Sequence, residues 1–82
     1  MKAKLVFLGR LEEQAGRSFE DIAASAPLDW SALLERLGTE LAEAVGAEKV
    51  KVALNGALVA DKHGIILNDG DEIAFLPPVS GG

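Results

Sequence analysis

The chain begins with a pattern of period two from the second residue to the seventh. Ala3, Leu5 and Phe7 fall on one side of the pattern, and Lys2, Lys4 and Val6 fall on the other. A period of two predicts a β-strand with one buried face and one solvent-facing face. Leu8 continues the alternation on the lysine side, so we expect an apolar side chain on the solvent face where this strand ends.

The next segment predicts a return of the chain onto the first strand. Residues 9–16 are mostly polar and predict a loop or a short helical turn. Phe19 and Ile22 indicate a second strand within residues 17–23, paired with the first as a hairpin.

A helical period follows Asp29, whose carboxylate suits an N-cap because it accepts backbone N–H groups of the first helical turn. The apolar positions form one stripe at helical spacing: Trp30, Leu33, Leu34, Leu37, Leu41, Ala44 and Val45. Gly38 lies inside this stripe and either ends a first helix or kinks a longer one. Gly46 is a suitable terminator.

The second half of the chain predicts strands joined by tight turns. Residues 50–54 alternate and predict a half-buried strand, and Asn55-Gly56 predicts a turn into a short returning strand over 57–60. We expect the loop that follows to be anchored by its apolar residues: Ile65, Ile66 and Leu67. Residues 68–71 predict another turn, and 72–76 the last strand.

One helix flanked by strands predicts an α+β fold. A single mixed sheet packed on one main helix, as in the β-grasp (ubiquitin-like) fold, covers the apolar stripe most economically. We expect residues 1–76 to form this domain and residues 77–82 to form an extended, flexible C-terminal tail.

Composition narrows the function. The 82 residues include 8 Lys+Arg and 13 Asp+Glu, and a net charge of −5 disfavours binding to nucleic acid or anionic membranes. With no cysteine, the chain has no thiolate nucleophile, and His63 alone predicts no metal site. The apolar run over residues 5–8 is too short for a signal or a membrane span, so we expect a cytoplasmic protein.

The tail carries the clearest candidate chemistry. Pro77 and Pro78 stop the last strand because neither can donate a ladder hydrogen bond. Gly81 and Gly82 lack a Cβ and can therefore pass through a narrow channel to a nucleotide in another protein. A carboxylate is a poor electrophile, so reaction at Gly82 requires prior activation, for example as a mixed anhydride with AMP. Asp69 and Asp71, in contrast, are explained by turn chemistry rather than acid–base catalysis.

Residues 68–82 resemble a known signature. The run with DGDE followed by PPVSGG is similar to the C-terminus of the MoaD family, the ubiquitin-like sulfur carriers that form the small subunit of molybdopterin synthase. The resemblance implies that an adenylating enzyme uses ATP to convert Gly82 to an acyl-adenylate, and that a sulfur donor system then forms a thiocarboxylate there. It implies no cofactor bound by the domain itself.

The resemblance also implies partners. The tail, including Pro77, Pro78, Val79 and Ser80, is expected to insert into the large synthase subunit of a heterotetramer, where sulfur passes to cyclic pyranopterin monophosphate. Most catalytic side chains would belong to that subunit. The first loop departs from the family pattern, because Glu12 stands where an arginine is common, which places any partner contact through that arginine in doubt.

Three leucines are candidates for docking. Leu8 and Leu76 share the solvent face of their strands, and we expect an exposed apolar patch there, beside the tail. Leu58 is a weaker candidate, because a one-residue slip in register would reverse its face. The alternative is that loops cover these strand ends and leave the leucines partly buried.

Two other functions remain open at this point. The same carrier chemistry serves tRNA thiolation, thiamin synthesis or protein modification. A non-catalytic β-grasp interaction module with an inert tail is the alternative of another class.

Overall fold

The computed structural model describes residues 1–78, and the bounds below refer to that range. The strands are β1 (Lys2–Phe7), β2 (Phe19–Ala23), β3 (Leu28–Asp29), β4 (Lys51–Leu54), β5 (Ala57–Leu58), β6 (Ile66–Leu67) and β7 (Glu72–Leu76). The helices are α1 (Arg10–Ala15), α2 (Trp30–Leu37) and α3 (Thr39–Gly46), with one 3-10 turn at Lys62–Gly64. The alternative of a short helical turn within 9–16 is therefore correct.

Five strands form the main sheet in the order β2-β1-β7-β4-β5. The central pair, β1 and β7, is parallel, and every other pair is antiparallel, including the predicted β1–β2 hairpin. The parallel pair lets the last strand lie at the centre of the sheet beside the first. This confirms the predicted α+β class and the mixed sheet.

The core lies between the helices and one face of the sheet. Leu5, Phe7, Ile73 and Phe75 of the central strands are almost completely buried, as the alternation predicts. The Phe7 and Phe75 rings stack with centroids 5.6 Å apart, and Trp30 lies 6.5 Å from Phe75. Burying each such side chain contributes about 1.5–3 kcal/mol, so this cluster is a major contribution to the stability of the domain.

The one main helix predicted for residues 30–45 is two helices. Asp29 caps α2 as predicted, because its Oδ1 accepts the Ala32 N–H at 2.9 Å. Gly38 has φ +88° and separates α2 from α3, so the first of the two alternatives for this glycine holds. No helix formed by residues 1–78 is long and apolar enough to cross a membrane.

The segment between β4 and β7 differs most from prediction. The returning strand ends at Leu58 instead of residue 60. Ile66 is 49% exposed, so its assignment as a core anchor is wrong, whereas Ile65 and Leu67 are buried as expected. Ile66 lies in β6, which pairs with β3 in a separate two-stranded sheet. Strands of two residues are too short to show a period in the sequence.

Candidate functional site

The side of the main sheet that faces away from the helices, here called the open face, carries an apolar row across all five strands. The paired residues that form it are Phe19, Val6, Ala74, Ala53 and Leu58, from β2 to β5. The middle three are half-buried by their neighbours, whereas Phe19 and Leu58 at the two edges are 50% and 71% exposed. Small side chains in the middle and large ones at the edges make this row a shallow apolar surface.

A second row on the open face lies closer to the tail. The Leu8 N–H donates to the Phe75 carbonyl at 3.3 Å, which continues the β1–β7 pairing one residue beyond β1. Leu8, 40% exposed, therefore lies beside the half-buried Leu76, which pairs with Lys51 of β4. The structure thus brings Leu8 and Leu76 together at the end of β7.

Leu58 lies on the same face but farther from the tail. Its register with Ala53 places it at the β5 edge of the apolar row, so the slip that would have turned it inward does not occur. The alternative of leucines covered by loops applies in part to Leu76 only, because Leu8 and Leu58 are exposed.

The half of the open face away from the tail is charged. Lys4 pairs with Asp21 of β2 and with Glu72 of β7, so opposite charges lie side by side in one row. The Lys4 Nζ also lies 4.6 Å from the centre of the Phe19 ring. The exposed apolar surface of the open face therefore lies mainly in the half of the sheet next to the tail, which it shares with Lys51.

The root of the tail packs on the loop after β1. Pro77 and Pro78 are half-buried, and a Cβ built on Gly9 would lie only 2.9 Å from Cγ of Pro77. Gly9 has φ +54°, a conformation that favours glycine. The other predicted site residues, Val79, Ser80, Gly81 and Gly82, lie outside the described residues.

At the opposite end of β7, the two aspartates have the structural role predicted for them. Asp71 accepts hydrogen bonds from the Asn55 side chain at 2.9 Å and from the Asn68 N–H at 2.8 Å. These two bonds, the Asn55 bond first, lower the pKa of Asp71. Asp69 accepts the Lys2 N–H at 2.7 Å. Asp71 therefore closes the turn before β7, and Asp69 joins the same turn to β1.

Lys62 is a residue that sequence reasoning missed. Its ammonium donates to the carbonyls of Val45, Ala47 and Val50 at 3.1, 2.6 and 2.9 Å, and so closes the connection from α3 to β4. Burial, followed by the charge of Lys51, lowers the pKa of Lys62. No sequence pattern connects a loop lysine to three carbonyls elsewhere in the chain, so only the structure reveals this role.

Two other residues that the sequence singled out are peripheral. His63 contacts Trp30 edge-on, with ring centres 6.2 Å apart, and within residues 1–78 no group of three acidic, cysteine or histidine side chains is placed to hold a metal ion. Glu12, at the position where the family commonly has arginine, is exposed in the first turn of α1.

Known proteins resemble this chain in amino-acid sequence. Residues 5–82 match the ThiS family. The chain is 35% identical over 82 residues to the molybdopterin synthase sulfur carrier subunit of Escherichia coli, an alignment that covers 96% of this chain and 98% of that protein.

Solved structures agree on the fold. The complex of subunits 1 and 2 of molybdopterin-converting factor from Helicobacter pylori contains a chain that matches with a TM-score of 0.64, 30% identity and full coverage of both chains. The small archaeal modifier protein 1 (SAMP1) of Haloferax volcanii matches with a TM-score of 0.74, 23% identity and full coverage of both chains. The second likeness concerns the β-grasp fold alone. The family match and the 35% identity together establish that this chain belongs to the ThiS family and is a sulfur carrier of the MoaD type.

Proposed function

We propose that this chain is the sulfur-carrying subunit of a molybdopterin synthase and that it carries sulfur as a thiocarboxylate on Gly82. The observation that carries the proposal is the 35% identity, over nearly the whole chain, to a protein that is the sulfur carrier of that enzyme in Escherichia coli. The DGDE and PPVSGG runs at the end of the sequence support it.

The proposed chemistry takes place at the terminal carboxylate. An oxygen of the Gly82 carboxylate attacks the α-phosphorus of ATP, and pyrophosphate leaves. A sulfur nucleophile at the oxidation level of sulfide then attacks the acyl carbon and displaces AMP, which leaves a thiocarboxylate. The activating enzyme binds the ATP, so the carrier domain needs no nucleotide or cofactor site of its own.

The acceptor in this proposal is cyclic pyranopterin monophosphate. Its dithiolene needs two sulfur atoms, so two carriers in the thiocarboxylate form are used for each molecule of molybdopterin. Water then returns each Gly82 to the carboxylate. A large subunit supplies most of the catalytic side chains, and two carriers with two large subunits form a heterotetramer. The likeness to a chain of the two-subunit complex from Helicobacter pylori supports a large-subunit partner.

The apolar half of the open face is the proposed docking surface for both partners. Leu8, Leu76 and Leu58 present apolar side chains on the open face, and the first two lie at the end of β7 where the tail begins. Burial of such a surface provides affinity, whereas the net charge of −5 speeds encounter with basic partner surfaces. ATP and pterin chemistry of this kind fits a cytoplasmic protein.

A carrier for another acceptor uses the same first two steps. Thiolation of tRNA, thiamin synthesis and protein modification all remain compatible with the tail chemistry. They differ from the first proposal only in the protein that binds the carrier once its C-terminus is activated. Supplying the thiocarboxylate form with the large subunit and cyclic pyranopterin monophosphate separates them, because only the first proposal predicts molybdopterin as the product.

Exchange of pyrophosphate into ATP by the activating enzyme tests the carrier function itself. We expect exchange to depend on this chain and to disappear when Gly82 is deleted, because the shortened tail no longer brings its carboxylate to the α-phosphate. A Ser18→Ala variant, changed in the loop before β2, is the control and retains exchange. Exchange that survives the deletion would favour the inert-tail interaction module.

A further inference from the structure

We propose that Gly9 is a positioning residue that sets the direction in which the tail leaves the domain. The inference rests on the proposed carrier function and extends it to a residue far from Gly82 in the sequence. Its starting point is the contact between Gly9 and Pro77, where a Cβ on residue 9 would lie 2.9 Å from the Pro77 Cγ.

The backbone at Gly9 is held from both sides. On one side, Leu8 donates its N–H to Phe75 at 3.3 Å, which fixes the loop to the end of β7. On the other side, Leu11 is buried in the core and donates its N–H to the Leu8 carbonyl at 3.1 Å. Gly9 therefore cannot move away from Pro77 without disturbing either the sheet or the core.

The conformation of Gly9 also excludes other residues. Its φ of +54° and ψ of −133° lie in a region that glycine adopts and L side chains rarely do. A side chain here would need a different backbone conformation and would also meet the proline ring. Position 9 is thus restricted by its own backbone and by the tail.

Pro77 and Pro78 restrict the backbone at the start of the tail. The ring fixes φ of Pro77 near −65°, and the adjacent Pro78 restricts the chain in the same way. The six residues from Pro77 to Gly82 reach at most about 20 Å, so the direction of the chain at Pro77 limits the region of space that the terminal carboxylate can reach. Gly9 restricts that direction before a partner binds.

Gly16 provides a control at the other end of α1. It also has a positive φ, +76°, but its ψ of +15° places it in the left-handed helical region, where alanine is strained less than at Gly9. No atom lies within 4 Å of a Cβ built on Gly16. Gly16→Ala therefore tests alanine at a positive φ without any contact with the tail, and the double variant Gly9→Ala/Pro77→Ala separates the remaining backbone strain at position 9 from that contact.

The experiment compares Gly9→Ala, Gly16→Ala, Pro77→Ala and the double variant Gly9→Ala/Pro77→Ala in pyrophosphate exchange. Misplacement of a reacting group by an ångström can cost up to about a hundredfold in rate, and we expect Gly9→Ala to lower kcat by at least about tenfold. KM for the carrier stays within about twofold, because the docking face is unchanged. Gly16→Ala changes neither constant by more than about twofold.

The double variant tests the contact itself. Pro77→Ala removes Cγ, so the methyl group of alanine at position 9 no longer meets it, and we expect Gly9→Ala to lower kcat less in the Pro77→Ala background than in the unmodified chain. Thermal unfolding of each variant verifies folding. If Gly9→Ala does not fold, Pro77→Ala decides, and it is expected to lower kcat while the domain remains folded.

Two results would overturn the inference. One is a kcat for Gly9→Ala, or for Pro77→Ala where the former does not fold, that equals the kcat of Gly16→Ala. The other is the absence of a nuclear Overhauser effect between the Gly9 Hα and Pro77 ring protons in the unmodified chain, which needs no enzyme. If this effect is present and the unmodified chain supports no exchange, it is the carrier function that fails.

Discussion

The two ends of β7 are built in opposite ways. At the start of the strand, Asp71 accepts hydrogen bonds from Asn55 and Asn68, and the Glu72 N–H donates to Asn55 Oδ1 at 2.9 Å. At the other end, Leu76 leads into two prolines, lies beside Leu8 and Lys51 on the open face, and is followed by an apolar contact between Pro77 and Gly9.

This difference separates stability from recognition. At the turn end, the polar groups form hydrogen bonds with one another, so few of them need a hydrogen-bond partner in another protein. The tail end leaves large apolar side chains exposed, and they gain burial only when another protein covers them. The proposed carrier, which meets two enzymes in turn, would benefit from this division, because the proposed docking surface could be released while the domain stays folded.

The largest predicted effect is the loss of docking when charge is introduced at the tail end. Leu8→Asp places a carboxylate on the apolar half of the open face, and we expect affinity for the large subunit to fall by about 30- to 100-fold, as for an interface hot spot. Titration calorimetry of the carrier with the large subunit measures the change.

Ile66→Asp is the control for this prediction. Ile66 is 49% exposed, comparable to Leu8 at 40%, but it lies in the separate β3–β6 sheet. Affinity should change by less than about twofold in this variant, as for a surface residue outside an interface. Equal losses for the two variants would show that the open face has no special role.

The next effect concerns stability at the turn end. Asp71→Ala removes acceptors for Asn55 and Asn68, and we expect the free energy of unfolding to fall by about 1–2 kcal/mol. Affinity for the large subunit should not change. Urea denaturation measures the loss, with Glu43→Ala as the control at an exposed carboxylate of α3. A stable Asp71→Ala variant that binds poorly would reverse the assignment of the two ends.

The smallest predicted effect is a pH dependence carried by the same residue. Hydrogen bonds from Asn55 and Asn68 lower the pKa of Asp71 in the folded state, so the ionised form favours folding. The contribution is complete above the unfolded-state pKa of about 3.9 and is lost as pH falls through the lower folded-state value. Unfolding measured between about pH 5 and 2.5 should therefore show a smaller loss of stability for Asp71→Asn than for the unmodified chain. The prediction would be contradicted if the free energy of unfolding fell equally with pH in the two proteins.

Local patterns predicted most of the sheet and the start of the helical region. Period-two alternation identified β1 and β7 and placed Leu8 on the open face, and Asp29 identified the beginning of α2. These predictions succeed because strand faces and helix caps depend on neighbouring residues. The resemblance in residues 68–82 was sufficient for the family.

Contacts between residues far apart in the chain could not be predicted from the sequence. β3 and β6 are stabilised by pairing with each other, and Lys62 is held by carbonyls of another segment, so neither has a local signature. The Gly9–Pro77 contact joins opposite ends of the chain. The sequence indicated that the glycine tail is reactive, but the structure was needed to find what holds its root.

Intact mass spectrometry tests the carrier function most directly. The chain is incubated with the activating enzyme, ATP and sulfide, and its mass is measured before and after. The account predicts a gain equal to the exchange of one oxygen atom for sulfur, localised by fragmentation to Gly82 and absent without ATP. The account would be contradicted by an unchanged mass when the activating enzyme converts its own carrier to the thiocarboxylate under the same conditions.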